Sequence, residues 1–92
     1  MSKYKIQIST KFKKDYKIIL KRGYDMRLLQ KVLDILSNGE LLPERYKDHT
    51  LAGDYIGFRE CHITPDWLLI YKIQEDTLIL FLTRTGTHSD LF

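Results

Sequence analysis

Cysteine is nearly absent from this chain. Cys61 is the one thiol in 92 residues. It cannot close an internal disulfide, which suits a reducing compartment. Proline (2) and glycine (5) are scarce too, which argues against collagen-like and linker-like chains, and no internal repeat is seen. No apolar run approaches the roughly 20 residues that a membrane span needs. The start, Met1-Ser2-Lys3-Tyr4-Lys5-Ile6, lacks the apolar core of a signal peptide. These absences predict a cytoplasmic protein. Motifs are missing as well: there is no Gly-rich phosphate loop, no CxxC pair, no HExxH and no Gly-x-Ser-x-Gly. No cofactor is expected. The length suits one small domain over residues 1–92.

What is present is charge, unevenly spread. Residues 1–47 hold 12 Lys+Arg against 5 Asp+Glu, a net +7. Residues 48–92 hold 3 against 7, a net −4, together with all three histidines, His49, His62 and His88. A basic half suggests a polyanionic or acidic partner, although solubility explains a Lys-rich helix equally well.

Residues 4–9 alternate in type and predict a first strand. Ser9 or Thr10 can cap a helix running from Lys11 to Arg22, where Phe12, Tyr16, Ile19 and Leu20 make one apolar stripe. Gly23 ends it. Asp25 caps a second helix that runs to about Ser37, with Leu28, Leu29, Val32, Leu33, Ile35 and Leu36 on its apolar face. Residues 40–53 read as a loop. Three strands then follow, over residues 55–63, 67–73 and 78–84, with a polar tail from Thr85 to Phe92. Strands and helices segregate, so the expected fold class is α+β: strand–helix–helix–three-strand antiparallel meander, with two helices packed on one sheet face.

The chemistry must come from a short set of residues. An unperturbed imidazole titrates at ~6.5, so two histidines flanking a reacting group can act as base and acid near neutrality. His62 and His88 fall at strand ends on one edge of the meander, and the loop can bring His49 there. The spacing 49, 62, 88 matches no local ligand motif, so no metal site is expected. Arg84 can bind a phosphate in bidentate fashion, or form an ordinary strand-end salt bridge. Trp67 and Phe92 can stack on unpaired bases, or lid a small core.

The stretch from Arg59 to Tyr71, RECHITPDWLLIY, followed by RTGTHSDLF over residues 84–92, resembles the YafQ-type branch of the RelE/ParE toxin superfamily. Asp48-His49-Thr50-Leu51-Ala52-Gly53 also fits that pattern, whereas residues 1–47 match mainly in element order. The resemblance implies the RelE-like form of the predicted fold and the toxin of a type II toxin–antitoxin pair: a ribosome-dependent mRNA endonuclease cutting at the A site. It implies a cognate antitoxin protein as partner, with ribosomal RNA and mRNA as targets. A monomeric free toxin and a higher-order toxin–antitoxin complex are expected. Carried over by position, His49, His62, Asp66 and His88 match catalytic positions. Trp67, Arg84 and Phe92 match positions that aid activity or hold substrate.

Both lines fit metal-independent transesterification, with His49 as base, His88 as acid, His62 and Asp66 positioning, and Arg84 steadying the phosphate. Lys11, Lys13, Lys14, Lys17, Lys21 and Arg22 are expected to grip ribosomal RNA. A non-catalytic, ParE-like gyrase inhibitor and a plain RNA-binding module are the alternatives. The three histidines favour the nuclease.

Overall fold

The computed structural model describes residues 2–92. Ten short elements follow one another. Strand β1 (Lys5–Ile8) leads to helices α1 (Thr10–Lys21) and α2 (Met26–Ser37), then a 3-10 turn (Glu44–Tyr46) and β2 (His49–Thr50). A second 3-10 turn (Gly53–Tyr55) precedes β3 (Arg59–Thr64), β4 (Trp67–Gln74), β5 (Ile79–Gly86) and a last helical turn, α3 (His88–Leu91).

The helix starts are set by their caps. Ser9 Oγ accepts from the Phe12 amide at 2.9 Å, and Asp25 Oδ1 from the Arg27 amide at 3.1 Å. Gly23 ends α1 with a left-handed φ of 78°, which glycine adopts without a Cβ clash.

The five strands order as β1-β5-β4-β3-β2. The predicted antiparallel meander is β3-β4-β5, and β1 lies parallel against β5. Two features of the sheet depart from the sequence reading. The loop of residues 40–53 contains β2, which pairs with β3 through His49 opposite Glu60. The predicted strand over 55–63 begins only at Arg59, because Gly53–Tyr55 coil into a 3-10 turn and Gly57 turns left-handed at φ 89°.

Alternation along the strands sorts side chains onto two faces. Cys61, Ile63, Trp67, Leu69, Tyr71, Leu80 and Leu82 form one core with Phe12 and Ile19 of α1 and Leu29, Val32 and Leu36 of α2. Leu68, Ile70 and Leu91 form a smaller cluster with Leu51, Tyr55 and Phe58. Both long helices therefore cover one face, and α3 with the residues of the 51–58 segment partly covers the other.

The buried face of α1 is rotated from the predicted stripe. Phe12, Asp15 and Ile19 are buried, whereas Tyr16 and Leu20 are 37% and 48% exposed. A carboxylate holds the middle position because β5 supplies its partners. Arg84 Nε and Nη2 donate to Asp15 at 2.7 and 3.1 Å, and the Thr85 amide donates at 3.2 Å. The Asp15 carboxylate is buried, and its charge is met by three donors.

Candidate active site

One register row crosses four strands: His49 opposite Glu60, Glu60 opposite Ile70, and Ile70 opposite Arg84. Residues in register share a face, and Ile70 belongs to the cluster beneath α3. His62 follows Glu60 by two positions and pairs with Leu68 of the same cluster, so it shares that face. The two long helices leave this side of the sheet uncovered.

His49 and His62 are held alike. His49 Nδ1 lies 2.8 Å from the Lys47 carbonyl oxygen, and His62 Nδ1 lies 3.3 Å from that of Pro65. A carbonyl only accepts, so each Nδ1 is assigned the proton. Each Nε2 then faces one carboxylate oxygen, Glu60 Oε1, at 3.6 Å from His49 and 3.9 Å from His62. The ring centroids are 6.5 Å apart. The Glu60 side chain is 8% exposed, and its other oxygen, Oε2, is buried with no hydrogen-bond partner. Either Nε2 can accept a proton, and the imidazolium formed meets a carboxylate that water screens poorly.

Backbone geometry fixes this arrangement. Lys47 sits left-handed at φ 49°, unusual for a side chain with a Cβ, and its carbonyl is the one that holds His49. Asp48 is anchored from two sides. The Tyr71 hydroxyl donates to it at 2.6 Å, and Arg59 Nε donates to it at 3.2 Å. Burial, then this bond to Asp48, pushes the Tyr71 phenol far above its ordinary range, so it remains a donor. The residue before His49 is thus clamped.

His88 opens α3 and is exposed, with its ring centroid 4.9 Å from that of Phe92. Phe92 is 56% exposed and meets Tyr55 at 5.9 Å. The helical turn is short, yet it is tied down. Thr87 Oγ1 accepts from the Asp90 amide at 3.2 Å, and Asp90 Oδ2 accepts from the Thr87 amide at 2.9 Å, a reciprocal capping box. Arg22 then grips Asp90 in bidentate fashion at 2.6 and 3.1 Å. Leu91 plugs the cluster of Leu68 and Ile70.

Three sequence-predicted roles change. Trp67 is 2% exposed, donates its indole N–H to Thr85 Oγ1 at 2.8 Å and packs edge-on against Tyr24 at 4.9 Å. It is a core residue, and its ring is not available for stacking on a base. Arg22 is bonded to Asp90, so it ties α1 to α3 in place of the free phosphate grip expected of it. Arg84 is the strand-end salt bridge: Asp15, with a smaller contribution from Tyr55, raises its already high pKa. Two of its guanidinium nitrogens are committed to Asp15. Lys11, Lys13, Lys14, Lys17 and Lys21 are all exposed, as expected. Asp66 is exposed in the β3–β4 turn and lines a hollow of about 240 Å³ beside Tyr24 and Thr64. The residue that sequence reasoning missed is Glu60. Its spacing of two from His62 on a predicted strand was the available signal.

A family model described as "Bacterial toxin of type II toxin-antitoxin system, YafQ" matches residues 4–92. The chain belongs to the YafQ family. Among the relatives of this family, an Escherichia coli (strain K12) protein named "mRNA interferase toxin YafQ" is 47% identical over 88 residues, covering 95% of this chain and 94% of that one. Of solved structures, a metal-bound toxin from Helicobacter pylori superposes with a TM-score of 0.91 at 48% identity, over 97% of this chain and 99% of that chain. The toxin of the E. coli DinJ-YafQ toxin-antitoxin complex superposes at 0.88 with 42% identity, over 98% of each chain.

Among the described residues, no group of three or more His, Cys, Asp or Glu side chains is placed to hold an ion. His49 and His62 each turn Nε2 toward the same oxygen of Glu60. Cys61 is fully buried among apolar side chains, and that burial drives its thiol far up from the ordinary value.

Proposed function

We propose that this chain, like its E. coli relatives, is an mRNA endoribonuclease and the toxin of a toxin–antitoxin pair. It acts in the cytoplasm on mRNA held in the ribosomal A site, and a cognate antitoxin protein neutralises it. The observation that carries the reading is the pair of imidazoles turned by their Nδ1 bonds toward one buried carboxylate, on the sheet face that α3 brings His88 to.

The reaction is a transesterification that imidazoles can run. His49 Nε2 takes the proton of a ribose 2′-OH, and the 2′-oxygen attacks the adjacent phosphorus. Glu60 Oε1, 3.6 Å from that same nitrogen, stabilises the resulting imidazolium through its charge. The P–O5′ bond breaks, and His88 gives its proton to the leaving 5′-oxygen. The products are a 2′,3′-cyclic phosphate and a 5′-hydroxyl. His62 faces Glu60 from the other side and positions substrate with Asp66. Arg84, paired with Asp15, holds β5 against α1 at the end of the row. Phe92, exposed beside His88, offers a face for a base.

Ribosome binding is assigned to the outer side of α1. At about 100° per residue, Lys13, Lys14, Lys17 and Lys21 fall opposite the buried Phe12, Asp15 and Ile19, with Lys11 on the flank. Mapping mRNA ends in a translation extract, with His88→Ala as control, tests the proposal. New ends inside ribosome-bound codons support it, and intact mRNA contradicts it.

A further inference from the structure

A groove of about 590 Å³ runs beside the histidine cluster, between α2, the first 3-10 turn and the end of β3. His62 lies on its rim. Its cationic side is Lys31, Arg45 and Lys47, and its lining contains no Asp or Glu. None of these three cations forms an ion pair among the described residues. Arg45 is pre-placed: its guanidinium sits 4.8 Å over the Tyr46 ring, and Nη2 donates to the Tyr46 hydroxyl at 3.1 Å. The floor is apolar, with Leu28 39% exposed on α2 and Ile63 beneath. Leu28 and Thr64 also line the smaller hollow that holds Asp66, so the two depressions adjoin.

We propose that this groove binds the single-stranded RNA nucleotide next to the scissile phosphate. The inference rests on the endonuclease reading and deepens it by naming a substrate subsite. Cations without acidic partners, beside an apolar floor, are complementary to a phosphate followed by a base. Asp66, in the adjoining hollow, repels phosphate but accepts hydrogen bonds from the N–H groups of a base. That gives the groove a polarity, with phosphate toward Arg45 and Lys47 and the base toward the β3–β4 turn. The volume falls in the range of pockets that enclose a small ligand. The chain segment from Arg45 to His49 joins the groove to the reacting centre, because Lys47 both lines the groove and holds His49 through its carbonyl.

The test uses the full chain, an uncleavable single-stranded 2′-deoxy hexanucleotide and amide chemical-shift titration. The proposal expects saturable shifts at Arg45, Lys47, Ile63 and Thr64. The double variant Lys31→Ala/Arg45→Ala keeps the dispersed spectrum of the folded chain and weakens oligonucleotide binding at least tenfold. Lys47 is left intact because its left-handed backbone holds His49. In a translation extract the same variant needs at least tenfold more protein for half-maximal mRNA cleavage, with the maximal rate kept within threefold. Wild-type affinity in the double variant, shifts confined to other surfaces, or tighter filling of the groove by a hexaglutamate peptide than by the oligonucleotide would overturn the proposal. The last result would assign the groove to an acidic protein segment. Failure of the endonuclease reading shows up separately, as uncut mRNA with the wild-type chain.

Discussion

Glu60 is a carboxylate in a place that costs it solvation. It is nearly buried, one oxygen is unpartnered, and the other faces two imidazoles beyond ordinary hydrogen-bond length. An unsatisfied buried polar atom costs about 1–3 kcal/mol, so the fold keeps Glu60 at the expense of stability. Glu60→Gln should therefore lower the mRNA cleavage rate by roughly 10² while leaving the thermal midpoint unchanged or higher. A lower midpoint with undiminished cleavage would make Glu60 a structural residue only. At this scale the sequence was informative about histidines and poor about partners. His49, His62 and His88 are rare titratable types and stand out by composition. Glu60 looks like any solvated glutamate until pairing with β2 covers it. Trp67 looks like a base-stacking residue until its N–H is seen bonded to Thr85.

Among the elements, α3 matters out of proportion to its four residues. It presents His88, and three contacts hold it: the capping box, the Leu91 plug and the Arg22–Asp90 pair. Gly86 belongs to the same device, since a Cβ there would stand 3.0 Å from Asp90 Oδ2 at a φ of +153°. Arg22, with help from the Thr87 amide, holds the Asp90 carboxyl well below the usual carboxylate range. Folding therefore favours the ionised form. The contribution is complete above the unfolded value of ~3.9 and is lost as pH falls through the lower folded value. Arg22→Ala should loosen α3 at a higher pH than the wild type, read from the amide exchange of Leu91 and Phe92. It should also slow cleavage by about 10-fold to 100-fold through misplacement of His88. Equal exchange in both proteins would remove the tether from the account.

Legibility differed among elements for physical reasons. The meander and both long helices could be read from periodicity, because their apolar faces repeat. Strand β2 is two residues long and exists through its partner, so no period announces it. The tail helix depends on a box closed by Thr87 and Asp90. The face of α1 was misread because Asp15, a charged residue, occupies a core position that only Arg84 and Thr85 make tolerable.

For the whole molecule, the uneven charge takes a spatial form. The basic half supplies the outer side of α1 and the cations of the groove, whereas the acidic half supplies the sheet that bears the histidines. Lys13→Glu/Lys14→Glu/Lys17→Glu should leave the fold intact, because all three side chains are exposed. It should abolish association with ribosomes at moderate salt, where wild-type binding weakens steeply as salt rises. Association that persists with an unchanged salt slope would reject α1 as the docking surface. If the ribosome presents the mRNA, as proposed, a small chain that supplies acid, base and a short subsite suffices.

The most direct measurement is the position and chemistry of new mRNA ends in a translation extract. The account predicts cuts inside ribosome-bound codons, each leaving a 2′,3′-cyclic phosphate and a 5′-hydroxyl, with His49→Ala and His88→Ala each nearly silent. Uncut mRNA, or ends bearing a 5′-phosphate, would contradict it.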